Sequence, residues 1–131
     1  MNPKDLDEMD VMAMTVWGEA RGEGKAGQIA VAWTIRNRVE KGGWWGRTIK
    51  QVCLMPWQFS CWNHNDPNRE KMLALNAKEL KPLKEICALV LAGAEEDKTE
   101  GATHYHAKTL DPPFWVKGDG FTLGNHIFYR L

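Results

Sequence analysis

The sequence predicts an α+β fold, predominantly helical, that ends in a small antiparallel β-hairpin. Two observations carry this. Apolar residues recur at helical spacing from Leu6 as far as Leu91. Beyond residue 100 the period changes to two, first in Gly101-Ala102-Thr103-His104-Tyr105-His106 and again in Leu123-Gly124-Asn125-His126-Ile127-Phe128-Tyr129. No repeat, low-complexity stretch or linker interrupts the chain, so residues 1–131 read as a single domain.

The elements follow in order. Asp5 and Glu8 have the spacing of a capping box, with Asp in place of Ser or Thr. Leu6, Met9, Met12, Ala13, Val16 and Trp17 then mark a first helix from about residue 6 to about Gly18. A second helix is predicted from Ala26 to Lys41, closed by Gly42-Gly43. Its apolar residues cover more than one face, as in a largely buried helix. Arg36, Asn37 and Arg38 near its end suit the helix dipole. Thr48 caps a short helix, Ile49 to Cys53 or Leu54, broken before Pro56. Asp66-Pro67 opens the next, with Met72, Leu73 and Leu75 inward. Lys81-Pro82 starts another, with Leu83, Ile86, Cys87, Val90 and Leu91 on its apolar face and Gly93 as the stop. The two period-2 runs pair as a long-looped hairpin. His104 and His106 then share one strand face and Tyr105 takes the other.

Composition narrows the function classes. Seventeen basic and seventeen acidic residues leave a formal net charge of zero, which speaks against a nucleic-acid partner. No run is long and apolar enough for stable membrane insertion. The polar, acidic segment Met1 to Asp10 is unlike a signal peptide, so synthesis in the cytoplasm without a Sec-type address is expected. Cys53, Cys61 and Cys87 form neither a disulfide framework nor a common zinc motif and are expected as buried free thiols. Seven tryptophans stand out, where about two would be ordinary. Trp44-Trp45 and Trp57/Trp62 lie in stretches rich in Gly, Pro, Ser and Asn. There they can stack on sugar rings, or serve as hinges or interface anchors.

The chemistry gathers in Trp17-Gly18-Glu19-Ala20-Arg21-Gly22-Glu23-Gly24. A helix C-terminus and apolar neighbours both disfavour ionisation of Glu19, which suits a general acid; taken alone, however, the stretch reads rather as two solvated helix-end glutamates. Arg21 opposes that if it pairs with Glu19; pairing with Glu23 instead leaves Glu19 free. Gln28, in the first turn of the second helix, faces either the same cavity or solvent.

Four blocks in order carry a resemblance: Trp17 to Glu23 with Gly27-Gln28-Ile29-Ala30-Val31-Ala32; Asn37-Arg38-Val39; Gln58-Phe59-Ser60-Cys61-Trp62; and Gly101 to His106 with Gly124 to Tyr129. Together they resemble the cell-wall hydrolases of the spore-cortex-lytic, SleB-type family, over nearly the whole chain. The resemblance implies a lysozyme-like catalytic domain. Its substrate would be the peptidoglycan glycan strand, cut between N-acetylmuramic acid and N-acetylglucosamine. Glu19 falls on the catalytic glutamate, and the implied mechanism is that of a lytic transglycosylase, which leaves a 1,6-anhydromuramic end. Gln28, Gln58, Phe59, Trp62, Thr103, Tyr105 and Asn125 are the candidates for binding substrate, with structural hydrogen bonding as the competing role for the polar ones. Neither a metal nor a cofactor is expected, and the protein is expected to be monomeric. A stand-alone lytic domain of this kind suits a phage endolysin released through a membrane pore.

Three rival readings remain. A muramidase would use a second carboxylate to activate water. Glu23 is the candidate, although capping the second helix or pairing with Arg21 explains it structurally. A zinc hydrolase would use His104, His106 and His126 of the hairpin. A non-catalytic saccharide-binding module would use the loop tryptophans and have no need of Glu19.

Overall fold

The computed structural model describes residues 2–131. Five helices form one lobe: α1 (Glu8–Ala20), α2 (Lys25–Lys41), α3 (Ile49–Leu54), α4 (Asn68–Leu73) and α5 (Ala77–Leu91). Three short strands form the other: β1 (His104–Ala107), β2 (Phe121–Leu123) and β3 (His126–Tyr129). Helix α1 packs against α2, α3, α4 and α5. Its Val11, Met12, Ala13, Val16 and Ala20 have no exposed surface, so it is the core of the helical lobe. Cys53, Cys61 and Cys87 are free and buried. No helix among the described residues is long and apolar enough to cross a membrane.

Two helix starts differ from the sequence expectation. Asp5 lies in a 3-10 turn, Pro3–Asp5, and Asp7 caps α1 by accepting from the Met9 amide. Glu8 accepts instead from the Lys50 amide at 3.3 Å, across to α3. Helix α5 begins four residues before Lys81, at a full capping box in which Asn76 and Glu79 exchange hydrogen bonds. Pro82 therefore sits inside the helix, where it lacks an N–H to donate. The box and the buried stripe Leu80, Leu83, Ile86, Cys87 and Val90 outweigh that loss.

The C-terminal run also differs. Instead of one long strand over residues 123–129, a two-residue turn at Gly124-Asn125 divides it into β2 and β3. Gly124 has φ 58°, as the first central position of a tight hairpin turn requires. Strand β3 is central, pairing antiparallel with β1 on one side and β2 on the other. The pairing of β1 with β3 is the expected one; β2 is an additional strand.

The end of α2 joins the two lobes. Arg36 donates to the Val90 carbonyl at 2.8 Å, at the C-terminal turn of α5. Asn37 donates to the Ala102 carbonyl and to Asp97, each at 3.0 Å. Arg38 Nε donates to the Thr103 carbonyl at 2.6 Å. Asn37 and Arg38 fasten the entry of β1 to the helical lobe, while Arg36 ties α2 to α5 within it.

Candidate active site

Glu19 lies in the last turn of α1, where it is half-buried. Helix α1 runs on through Gly18 to Ala20, and at Gly18 it meets the 3-10 turn Ser60–Trp62. A Cβ on Gly18 would stand 2.6 Å from Cys61 Cβ and 2.8 Å from its Sγ. This approach brings the Cys61 amide to 3.4 Å from Glu19 Oε2, to which it donates. The other oxygen, Oε1, accepts from the Tyr105 hydroxyl at 2.6 Å. The carboxylate is thus gripped by a backbone amide from the helical lobe and a phenol from the sheet.

The surrounding groups keep their protons. Burial, then the Glu19 charge and its hydrogen bond, push the Tyr105 hydroxyl well above its ordinary range, so it serves as a fixed donor. Burial, then the charge of Glu19, push the Cys61 thiol far up, so it is not a nucleophile. Arg38 is buried, with its guanidinium 4.8 Å from the Phe59 ring centroid. Burial lowers its pKa, while Tyr105, Cys53 and Glu19 act electrostatically to raise it. An arginine remains charged through such a shift, so a buried positive charge lies within electrostatic reach of Glu19.

Arg21 pairs with neither glutamate. It donates to Asn68 Oδ1 at 3.1 Å and lies over the Trp17 ring at 4.8 Å. Glu23 does not cap α2, whose N-cap is Gly24 without a side-chain cap. Instead the hairpin holds it: His126 Nδ1 is 3.3 Å from its Oε1, and Asn125 Nδ2 donates to its Oε2 at 3.3 Å. The His126 ring meets Tyr105 edge to face, with centroids 5.0 Å apart. Glu19, Tyr105, His126 and Glu23 therefore form one run of contacts along the sheet face. The composite of His126 with Glu23 was not read from the sequence; the β1–β3 register, which sets Tyr105 beside the His126 side of the sheet, is what reveals it.

That register also separates the histidines. His106 lies opposite Ile127, while His126 lies opposite Ala107 on the Tyr105 face. His106 Nε2 is spent on the Tyr129 hydroxyl at 2.8 Å, and His126 on Glu23. The three hairpin histidines do not converge, which removes the geometric basis of the zinc reading.

The other candidates divide. Tyr105 touches Glu19 directly. Asn125 is exposed on the hairpin turn and held by Glu23. Gln58 and Gln28 are half-buried; among the described residues no hydrogen bond joins either side chain to Glu19. Phe59, 2% exposed, packs in the core beneath Arg38 and does not offer a face to a ligand. Trp62 is 9% exposed and donates its indole N–H to Thr15 at 2.8 Å, so it is a pillar against α1. Thr103 is buried and accepts from the Leu131 amide at 3.3 Å, a joint of the sheet. The loop tryptophans split within each pair: Trp45 and Trp62 are buried, while Trp44 is 65% and Trp57 81% exposed.

A family model described as Cell Wall Hydrolase matches residues 22–129. Its span begins at Gly22 and does not include Glu19. No curated protein matches the chain. Two solved structures are similar over most of it. The crystal structure of the catalytic domain of the Bacillus cereus SleB protein has a TM-score of 0.73 and 28% identity, and covers 92% of this chain and 88% of that one. The catalytic domain of the germination-specific lytic transglycosylase SleB from Bacillus anthracis has a TM-score of 0.70 and 27% identity. It covers 97% of this chain and 98% of that one. The likeness extends to the lysozyme-like arrangement of five helices and a small antiparallel sheet.

Proposed function

The chain belongs to the cell wall hydrolase family, and from that premise we propose that it cuts peptidoglycan glycan strands as a lytic transglycosylase with Glu19 as general acid and base. The observation that carries this reading is the two-sided grip on the Glu19 carboxylate by the Tyr105 hydroxyl and the Cys61 amide. A group that must give and then take a proton needs a fixed position relative to the bond being broken. Two donors from different lobes supply it.

In the first step protonated Glu19 gives its proton to the oxygen linking N-acetylmuramic acid to N-acetylglucosamine. The C–O bond breaks, and the sugar cation develops at the muramyl anomeric carbon. In the second step the muramyl 6-hydroxyl attacks that carbon and Glu19 takes up its proton. Glu19 is returned protonated and a 1,6-anhydro ring forms. No water is consumed, so one carboxyl group suffices, and the tethered hydroxyl gains from proximity. Tyr105 keeps the carboxyl oriented through both transfers.

Glu23 is the candidate for a hydrolytic alternative, in which a second carboxylate activates water. Both of its oxygens are engaged by His126 and Asn125, which supports a role in holding the hairpin to the α1–α2 turn. The test is the mass of the new muramyl ends after digestion of purified peptidoglycan, read before and after borohydride reduction. Anhydro ends that resist reduction are expected. Reducible muramic ends, heavier by one water, would overturn the transglycosylase mechanism.

A further inference from the structure

On the sheet face away from Tyr105 lies a concavity. It is a groove of about 950 Å3 walled by Trp44, Trp45, His104, Phe114 and Trp115. Strand alternation turns His104 to this side and Tyr105 to the Glu19 side, so the groove and the carboxylate lie on opposite faces of β1. The rings form a continuous series. Centroids are 5.6 Å apart from Trp44 to Trp45, 5.4 Å from Trp45 to His104, and 4.9 Å from His104 to Trp115. Trp44 is 65% exposed and Phe114 fully so. Surface apolar rings gathered in this way mark an interaction site. Lys41, Lys117 and Arg130 also line the groove, and no acidic side chain does. In a chain whose formal charge is zero, this is a local excess of positive charge.

We propose that this groove is a secondary binding site for the peptidoglycan strand, with the aromatic rings stacking on sugar faces and the three cations taking the carboxylates of the stem peptides. The proposal rests on the reading of peptidoglycan as substrate and adds a hold on the polymer away from the reacting bond. The charge complementarity selects an anionic ligand, and the ring series selects one with flat apolar faces at intervals. A membrane surface is disfavoured because the ring series lines a concavity and the groove includes no amphipathic helix laid along a surface. A site of this kind raises the time the enzyme spends on an insoluble wall without altering the chemical step, through the effective concentration of a tethered second contact.

The test is sedimentation with insoluble sacculi stripped of phosphate-bearing polymers, in a Glu19→Gln background so that the strand is not consumed. Trp44→Ala/Phe114→Ala and Lys41→Gln/Lys117→Gln are compared with that parent, and far-UV circular dichroism and melting identify any loss of fold. All four side chains are exposed. The apparent Kd for sacculi is expected to rise about tenfold or more with either pair. With Glu19 present, cleavage of short soluble glycan fragments is expected to be unchanged by either pair. Sacculi binding equal to the parent's in folded variants would overturn the site. So would retained sacculi binding with lost binding to phosphatidylglycerol vesicles, which would assign the groove to a membrane. Failure of the Glu19 mechanism would show separately, as fragments left uncut by the protein with Glu19 intact, and would leave the sedimentation result readable.

Discussion

Glu19 receives hydrogen bonds from residues 42 and 86 positions away in the chain, and the two donors have different consequences. The Tyr105 bond, at 2.6 Å, is short and comes from a hydroxyl whose proton is firmly held. Tyr105→Phe keeps the ring against His126 and Phe128 and removes that bond alone. A hydrogen bond to a charged group contributes about 1.5–3 kcal/mol. Turnover is therefore expected to fall about tenfold to a hundredfold, by more than the accompanying drop in melting temperature accounts for at a temperature where the variant is folded, as measured by muropeptide release and by calorimetry. Glu19→Gln removes the proton donor itself, and a loss of about 10²–10⁴-fold is expected with sacculi still bound. Glu23→Gln is expected to leave turnover within a few-fold and to cost about 1–3 kcal/mol of stability through the weakened pair with His126. Abolished turnover in folded Glu23→Gln would favour the two-carboxylate hydrolase. Glu19 and Tyr105 were picked out in the sequence through the blocks that resemble the cell wall hydrolase family; period placed them on a helix and a strand but did not assign them a role. The partners of Arg21 and Glu23 were not legible, because Asn68 and His126 reach them across the fold, and sequence distance carries no information about such pairs.

The position of the carboxylate depends on how closely one element approaches another. Glycine in a helix interior is less favourable than alanine by about 1 kcal/mol, so its presence at position 18 of α1 has to be explained by contact. The contact is the 3-10 turn at Ser60–Trp62, whose Cys61 side chain occupies the space where a Cβ would stand. Gly18→Ala is expected to push that turn outward, destabilising the protein by about 1–3 kcal/mol and withdrawing the amide that donates to Glu19 Oε2. The loss of turnover should exceed what the lost stability explains at a temperature where the variant is folded. Adding Cys61→Gly removes the clashing Cβ and Sγ. The double variant is expected to recover part of both stability and turnover, a coupling that chemical denaturation and a double-mutant cycle would measure. Recovery of neither would mean that the helix and the turn do not communicate through this pair. At this scale the helices were legible from periodicity, and their ends less so. Pro82 resembles a helix start by its chemistry, yet Asn76 and Glu79 had already started α5. Likewise Gly124-Asn125 lies within a period-2 run and was read as continuous strand, whereas its backbone forms the turn that creates β2.

The proposed mechanism requires the sheet to stay closed on the helical lobe, since Tyr105 comes from one and Glu19 from the other. Closure runs through the end of α2, where Arg38 holds the Thr103 carbonyl, and through His104 just beyond it. His104 is wedged between Trp45 and Trp115, with Thr103 Oγ1 3.0 Å from its Nδ1. Burial, then the positive charges of Arg38 and Lys41, push its pKa down from 6.5 to about 4. In the unfolded chain the imidazole takes up a proton as the pH falls through 6.5, while in the folded protein it resists until about 4. Between these values the unfolded state binds more protons, so stability falls as the pH is lowered across this window. Above the window both states are neutral and the full contribution is present; below it both are charged and nothing further is lost from this residue. Carboxylates titrate in the acid part of the same window, so the contribution of His104 is read as a difference. His104→Gln keeps a polar planar group between the tryptophans without the titration. Its melting temperature, followed from pH 7 to pH 4, should decline less steeply than that of the parent, with the curves diverging most between pH 6.5 and 4. Parallel curves would show that closure of the sheet on the helical lobe does not depend on a neutral His104. The remaining ties would then be Asn37 to the Ala102 carbonyl and Arg38 to the Thr103 carbonyl, neither of which changes charge in that range.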